Sequence, residues 1–132
     1  MEIDVPKHVR HWLDGAEENL EVAEVLCREG HYEWSLFIGH LVLEKDLKAI
    51  CVKVTKEIPP RVHNLLLLAR SGGVSLDKER EEFLSRVNDF QTQVRYPVFQ
   101  ERPRRRYTRP FGEEMLAKIK ECHVWLRSLA TL

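Results

Sequence analysis

Long apolar stretches are missing from this sequence. The longest strongly apolar run without Asp, Glu, Lys or Arg, Trp34 to Leu43, covers ten residues, about half of what a bilayer-spanning helix requires. Met1-Glu2-Ile3-Asp4 opens the chain with no basic region leading into an apolar core, so no secretory signal is expected and the protein should be soluble and cytoplasmic. Cysteine is also sparse. Cys27, Cys51 and Cys122 are odd in number, far apart and set within apolar helical patterns, which argues against a disulfide framework and for buried free thiols in a reducing compartment. Cys122-His123 has no second pair of ligands to complete a zinc site, and His8 and His11 lack a carboxylate or thiol partner. We therefore expect no metal and no cofactor. No alternating run is long enough for a convincing strand, and there is neither an internal repeat nor a low-complexity tail.

What is present is helix. At 132 residues, the chain suits one domain over 1–132, and 32% charged residues is what long solvated helices need. Asp4 can cap a first helix that tolerates Pro6 in its opening turn, with Leu13, Ala16, Leu20, Ala23 and Cys27 on one face and Gly30 ending it near residue 29. Glu17, Glu18, Glu21 and Glu24 fall off that face. A second helix from about Tyr32 to Thr55 carries Trp34, Phe37, Leu41 and Leu47 towards a core, with Ser35 and Gly39 as places where another backbone can approach. It is the most apolar helix and hence the central one. Pro59-Pro60 stops it, His63 or Asn64 opens a short helix through Ala69, and Gly72-Gly73 closes that. Ser75 or Asp77 then caps a fourth helix bearing Phe83, Val87, Phe90 and Val94, which Pro97 forbids to continue. A last helix from about Phe111 or Gly112 to Leu129 places Met115, Ile119, Cys122, Leu126 and Leu129 on one side. The pattern predicts an all-α protein, an antiparallel up-and-down four-helix bundle with one additional short helix.

Charge is distributed unevenly beneath a net value of zero. Residues 1–94 hold 12 basic and 17 acidic side chains, whereas residues 95–112 hold six basic and one acidic. All six are arginines: Arg95, Arg102, Arg104, Arg105, Arg106 and Arg109. Guanidinium presents paired donors that suit phosphate oxygens, so this long irregular connection reads as a clamp for a nucleotide or nucleic acid. Its plainer reading is a solvated loop, or a strap against the acidic first helix of another subunit. Tyr96 and Tyr107 offer rings for stacking on bases, although an aromatic beside proline also fixes the chain's exit from a helix; that role fits Tyr96, and both remain open for Tyr107. Arg95 also complements the negative end of the fourth helix.

The second helix supplies further candidates. Glu44 and Lys48 are one turn apart and can form a solvated i,i+4 pair; alternatively Lys45 or Lys48 adds a phosphate contact beside the arginine segment. His63 can cap the short helix, bond across the bundle or act as a general base. His40, in its apolar surroundings, reads as a satisfied core or interface histidine.

Leu13 to Ala16 and Leu20, then Tyr32, then Glu44-Lys45-x-x-Lys48-Ala49, Pro59-Pro60-x-x-His63-Asn64-Leu65 and Arg95-Tyr96-Pro97 follow one another in an order that resembles the HEPN domain family (higher eukaryotes and prokaryotes nucleotide-binding) over nearly the whole chain. The resemblance implies an all-α bundle, often a homodimer, frequently working beside a minimal nucleotidyltransferase in a toxin–antitoxin-like pair. Many members are metal-independent ribonucleases that use an Arg, four to six intervening residues, and a His. Here the histidines at 8, 11, 31, 40, 63 and 123 have no arginine at that spacing. Cleavage through a 2′-hydroxyl needs both proton transfer and stabilisation of a charged phosphorus centre, and arginine supplies only the second. The sequence therefore predicts a nucleotide- or nucleic-acid-binding module without its own catalytic set. The alternatives are a ribonuclease whose histidine is His63 or His123, and a purely structural partner protein.

Overall fold

The computed structural model of the protein describes residues 2–95 and 107–132, the side chains of Gln93 and Arg95 excepted. It contains five helices, α1 (Val5–Arg28), α2 (Tyr32–Thr55), α3 (Leu65–Ser71), α4 (Lys78–Arg95) and α5 (Arg109–Ala130), and no strand among the described residues. Local signals set most boundaries. Asp4 accepts from the Lys7 amide at 3.1 Å to cap α1, whose C-terminal exit uses Gly30 at φ 86°. Asn64 receives the Leu66 amide at 2.9 Å, and Asp77 the Arg80 amide at 2.8 Å. α5 starts two residues before the predicted Phe111, because Thr108 accepts from the Phe111 amide and Pro110 sits in the first turn, where its missing N–H costs nothing.

α2 is the central element, in contact with α1, α3, α4 and α5. It runs antiparallel to α1, since the Ser35 hydroxyl donates to the Ala23 carbonyl at 2.7 Å while Lys45 lies beside Gly15. It runs parallel to α5: Tyr32 packs on Gly112 at one end, and at the other Lys53 donates to the carbonyls of Leu129 and Thr131, at 2.9 and 3.1 Å. Those carbonyls lack intrahelical partners, so the ammonium satisfies them. α4 is antiparallel to α5, with Phe90 at 6.3 Å from Phe111 and the Arg80 guanidinium 3.8 Å from the Trp125 ring. The result is the expected up-and-down bundle with α3 as the short addition.

The core holds Leu13, Ala16, Leu20, Ala23 and Cys27 of α1, Leu36, Leu43 and Leu47 of α2, Leu84, Val87 and Phe90 of α4, and Met115, Ile119 and Leu126 of α5. Three expectations need correction. Trp34 is 55% exposed and Phe37 and Leu41 are half-buried, because α2 is apolar around most of its circumference and its core face is turned towards Leu36, Leu43 and Leu47. Leu129 is exposed near the C-terminal end of α5, and Cys122 is half-buried; His123, not Cys122, occupies the inner position.

Gly112 marks the tightest approach. A Cβ there would stand 2.6 Å from Cδ1, 3.0 Å from Cγ and 3.1 Å from Cβ of Tyr32, atoms near the rigid root of a buried side chain. Helix propensity alone makes Gly→Ala favourable by about 1 kcal/mol. The clash reverses the sign: Gly112→Ala is expected to lower stability by about 1–3 kcal/mol, read as a lower urea midpoint with unchanged slope.

Candidate functional site

Two polar clusters are built on the buried face of α2. In the first, Glu44, 5% exposed, receives the Lys48 ammonium on Oε2 at 3.1 Å and His63 Nδ1 on Oε1 at 3.0 Å. Lys48 is itself buried and lies 5.3 Å from the centre of the Trp12 ring. The Glu44–Lys48 pair expected in solvent is thus an interior one, where loss of either partner is far more costly than on a surface. His40 donates from Nε2 to the His63 carbonyl at 2.9 Å. Burial pushes its pKa down to about 4, against the opposing pull of Glu44, so it is a neutral core histidine, as the sequence indicated.

His63 is tied down from both sides, its carbonyl by His40 and its ring by Glu44. An ionised carboxylate only accepts, so Nδ1 carries the hydrogen and neutral His63 keeps a lone pair on Nε2. Its side chain is 51% exposed. This orients a basic nitrogen at the surface in the manner of a carboxylate–imidazole dyad. Neither end of α3 is capped by the ring; Asn64 does that.

The second cluster was not foreseen. His123 is 3% exposed, with Nδ1 2.6 Å from Asp46 of α2 and Nε2 2.9 Å from Glu17 of α1; Arg127 also donates to Glu17, at 3.1 Å. Two carboxylates on one ring require both nitrogens to donate, which makes His123 an imidazolium. Burial disfavours that charge, but the bonds and fields of Asp46 and Glu17 outweigh it and hold the pKa above its ordinary value. Burial raises Asp46 to about 6 despite the opposing effect of His123. A sequence signal existed: a lone aspartate on a helix otherwise destined for the core demands a partner. With both nitrogens engaged and no exposure, His123 is a structural ion.

The arginine segment is visible at its margins. The Tyr107 ring packs 5.8 Å from Phe90 and 4.8 Å from Phe111, and its amide donates to Glu33 of α2 at 3.2 Å. Arg109, in the first turn of α5, stands 3.6 Å from Glu113 in an exposed i,i+4 pair. Arg95 ends α4, and its side chain, like Tyr96, Arg102, Arg104, Arg105 and Arg106, lies outside the described residues. Lys45 lies half-buried along α1 beside Gly15. The predicted site residues therefore divide into a Glu44–Lys48–His63 group, a separate Lys45, and the margins of the segment at Tyr107 and Arg109. No group of three or more His, Cys, Asp or Glu among the described residues is placed to hold a metal ion.

A family model for the HEPN domain matches residues 9–129, spanning α1 to the end of α5. The chain belongs to the HEPN family. The crystal structure of an archaeal HEPN homologue is similar to this HEPN domain with a TM-score of 0.66 and 22% sequence identity, over 93% of this chain and 98% of that one, and so shares its fold. No curated protein matches it in sequence. No helix among the described residues is long and apolar enough to cross a membrane.

The His123 cluster sets a pH dependence for this HEPN bundle. Its raised pKa makes a stabilising contribution that is complete below the ordinary value of 6.5 and is lost as pH rises through the folded-state value. Asp46, raised from 3.8 to about 6, works in the same direction at lower pH, where His40, lowered from 6.5 to about 4, opposes it. Above pH 6.5 the His123 contribution stands clear of both. Thermal melts should show stability falling as pH rises from neutral into the alkaline range. His123→Asn should remove that slope and cost about 3 kcal/mol at neutral pH by stranding the buried Asp46.

Proposed function

We propose that this HEPN domain is a small nucleotide- or nucleic-acid-binding module whose anion-binding capacity is concentrated in the connection between α4 and α5, and that it works with a separate minimal nucleotidyltransferase. The observation that carries the reading is the charge pattern: six arginines and one glutamate within residues 95–112, against five more acids than bases in the 94 residues before them. A local positive field on an acidic body attracts a polyanion to one place instead of coating the surface. The packing of Tyr107 between Phe90 and Phe111 supports a segment whose exit into α5 is firmly anchored. The Lys48 and His123 charges are already committed to carboxylates within the bundle, and Arg127 pairs with Glu17 at its surface.

The test is a titration with labelled RNA, DNA and nucleotides at two salt concentrations. Binding should weaken with a log–log slope of roughly one unit per phosphate contact. Replacing Arg104, Arg105 and Arg106 by Glu should abolish it while leaving helical content intact. Absence of binding to every probe at low salt overturns the reading.

One observation favours a second reading, that of a metal-independent ribonuclease: the Glu44–His63 dyad, whose Nε2 is placed to take a proton from a hydroxyl. His123 drops out of that role because both its nitrogens are bound. If the second reading holds, RNA is cleaved in the presence of chelator and His63→Ala abolishes cleavage, whereas the folded wild type leaving RNA intact after prolonged incubation removes it.

A further inference from the structure

α4 and α5 are neighbours that do not meet backbone to backbone. No Cα of α4 comes within 8 Å of a Cα of α5 among the described residues, so their axes stand further apart than the roughly 8–10 Å of closely packed helices. Side chains span the gap at its two ends: Phe90 meets Phe111 at one, and at the other the Arg80 guanidinium lies 3.8 Å from the Trp125 ring. Between α4 and α5 runs an open trough of about 540 Å³. Its half-buried lining is Phe83, Cys122 and Trp125; its exposed lining is charged.

Those charges are sorted along the trough. Arg86, 5.4 Å from the Phe111 ring, and Lys118 line the half nearer Phe111. Because α4 and α5 run antiparallel, Glu79 and Glu82, which precede Arg86, fall together with Glu121, which follows Lys118, in the half nearer Trp125. Among the described residues, Arg86 has no carboxylate, and Glu79, Glu82 and Glu121 no cation, within the 4.0 Å that defines an ion pair. Arg80, the cation at the acidic end, is held on Trp125 and stands 3.7 Å from Asp77. Lys118 has only an exposed i,i+4 pair with Glu114 at 3.4 Å, of a kind that costs little to break.

We propose that this trough is the docking site for an amphipathic helix of another protein, acidic in its first turn and basic in its last, lying antiparallel to α4 with its first turn at Arg86 and Lys118. Charge complementarity selects this occupant. A polyanion laid along the trough would meet three uncompensated carboxylates, and a uniformly basic segment would meet Arg86 and Lys118. A helix suits both ends, since acids at its start and bases at its finish are the distribution its own dipole favours. Glu79 and Arg86 on α4, like Lys118 and Trp125 on α5, are seven positions apart, about 10 Å or two helical turns. One helix covers that length with apolar anchors at i, i+3 or i+4, and i+7 set on Phe83, Cys122 and Trp125. None of these residues lies in the arginine segment, so the inference is independent of the nucleotide-binding reading.

Fluorescence anisotropy of two labelled synthetic peptides of about four helical turns, titrated with the full chain, tests it. One carries Glu in its first turn, a leucine stripe and Lys in its last turn; the other has Glu and Lys exchanged. The first should bind in the micromolar range and the second about tenfold more weakly or worse. Exchanging the exposed rim charges, Arg86→Glu and Lys118→Glu together with Glu79→Lys and Glu82→Lys, should invert that preference with helical circular dichroism unchanged. Phe83→Ala should weaken both peptides by about tenfold. Failure of both peptides to bind below millimolar concentration overturns the proposal, as does equal binding of the two or a preference that the charge exchange leaves in place. If labelled single-stranded RNA, and neither peptide, loses affinity on the charge exchange, the trough belongs to nucleic acid and the proposal falls.

Discussion

Placing ionisable side chains on the buried face of the central helix constrains everything around it. His40, Glu44, Asp46 and Lys48 occupy three turns of α2 at 7% exposure or less. None can be desolvated alone, because an uncompensated buried charge costs several kcal/mol. Glu44 and His40 are matched by the His63 loop, Lys48 by Glu44 one turn back on α2, Asp46 by His123 of α5, and that histidine in turn by Glu17 of α1. Apolar packing would tolerate a sliding of α1 or α5 along α2; these bonds do not. The charges set the register, and the hydrophobic contacts supply the bulk of the stability.

The same arrangement separates structure from function. Cations that a scan of the sequence would add to a phosphate site are paired within the chain, Lys48 with Glu44 in the interior and Arg127 with Glu17 at the surface, and His123 is clamped by two carboxylates. In the sequence, arginines are concentrated between α4 and α5, where residues 95–112 hold six of them against one glutamate. The exception within the interior network is His63, whose Nδ1 belongs to the latch on Glu44 while Nε2 reaches the surface with a lone pair. One residue thus serves both the fold and any proton-transfer chemistry the surface carries.

Helix boundaries were legible in the sequence wherever a cap or breaker acts locally: Asp4, Gly30, Asn64, Gly72-Gly73 and Asp77 all act where their chemistry requires, whereas α2 ends with Lys56 as its C-cap in the left-handed conformation, before Pro59-Pro60 is reached. Thr108 was not, because the arginines on both sides of it drew Arg109-Pro110 into the irregular segment, although proline in a first helical turn is a common opening. Periodicity gave the core faces of α1 and α4 and failed on α2. A helix apolar nearly all round has no single stripe, so Trp34 was assigned inward while Asp46 went unnoticed. Of the site, Glu44–Lys48 and His63 could be found from spacing, but not that the pair is buried or that the two groups meet. The Asp46–His123 contact joins residues 77 apart in the chain, and no local pattern predicts it. Arg95, Tyr96, Arg102 and Arg104 to Arg106 were legible as a charge cluster and lie, in their side chains, outside the described residues.

The proposed function rests on the buried charges of the bundle being paired with one another and on the arginines of residues 95–109 meeting the anion. Nuclear magnetic resonance of isotope-labelled protein during addition of a short single-stranded RNA tests it directly. The account predicts that amide and arginine side-chain signals of residues 95–109 move while the His123 ring and the Lys48 ammonium stay fixed. Movement centred on those two interior groups, or a spectrum unchanged by the RNA, would contradict it.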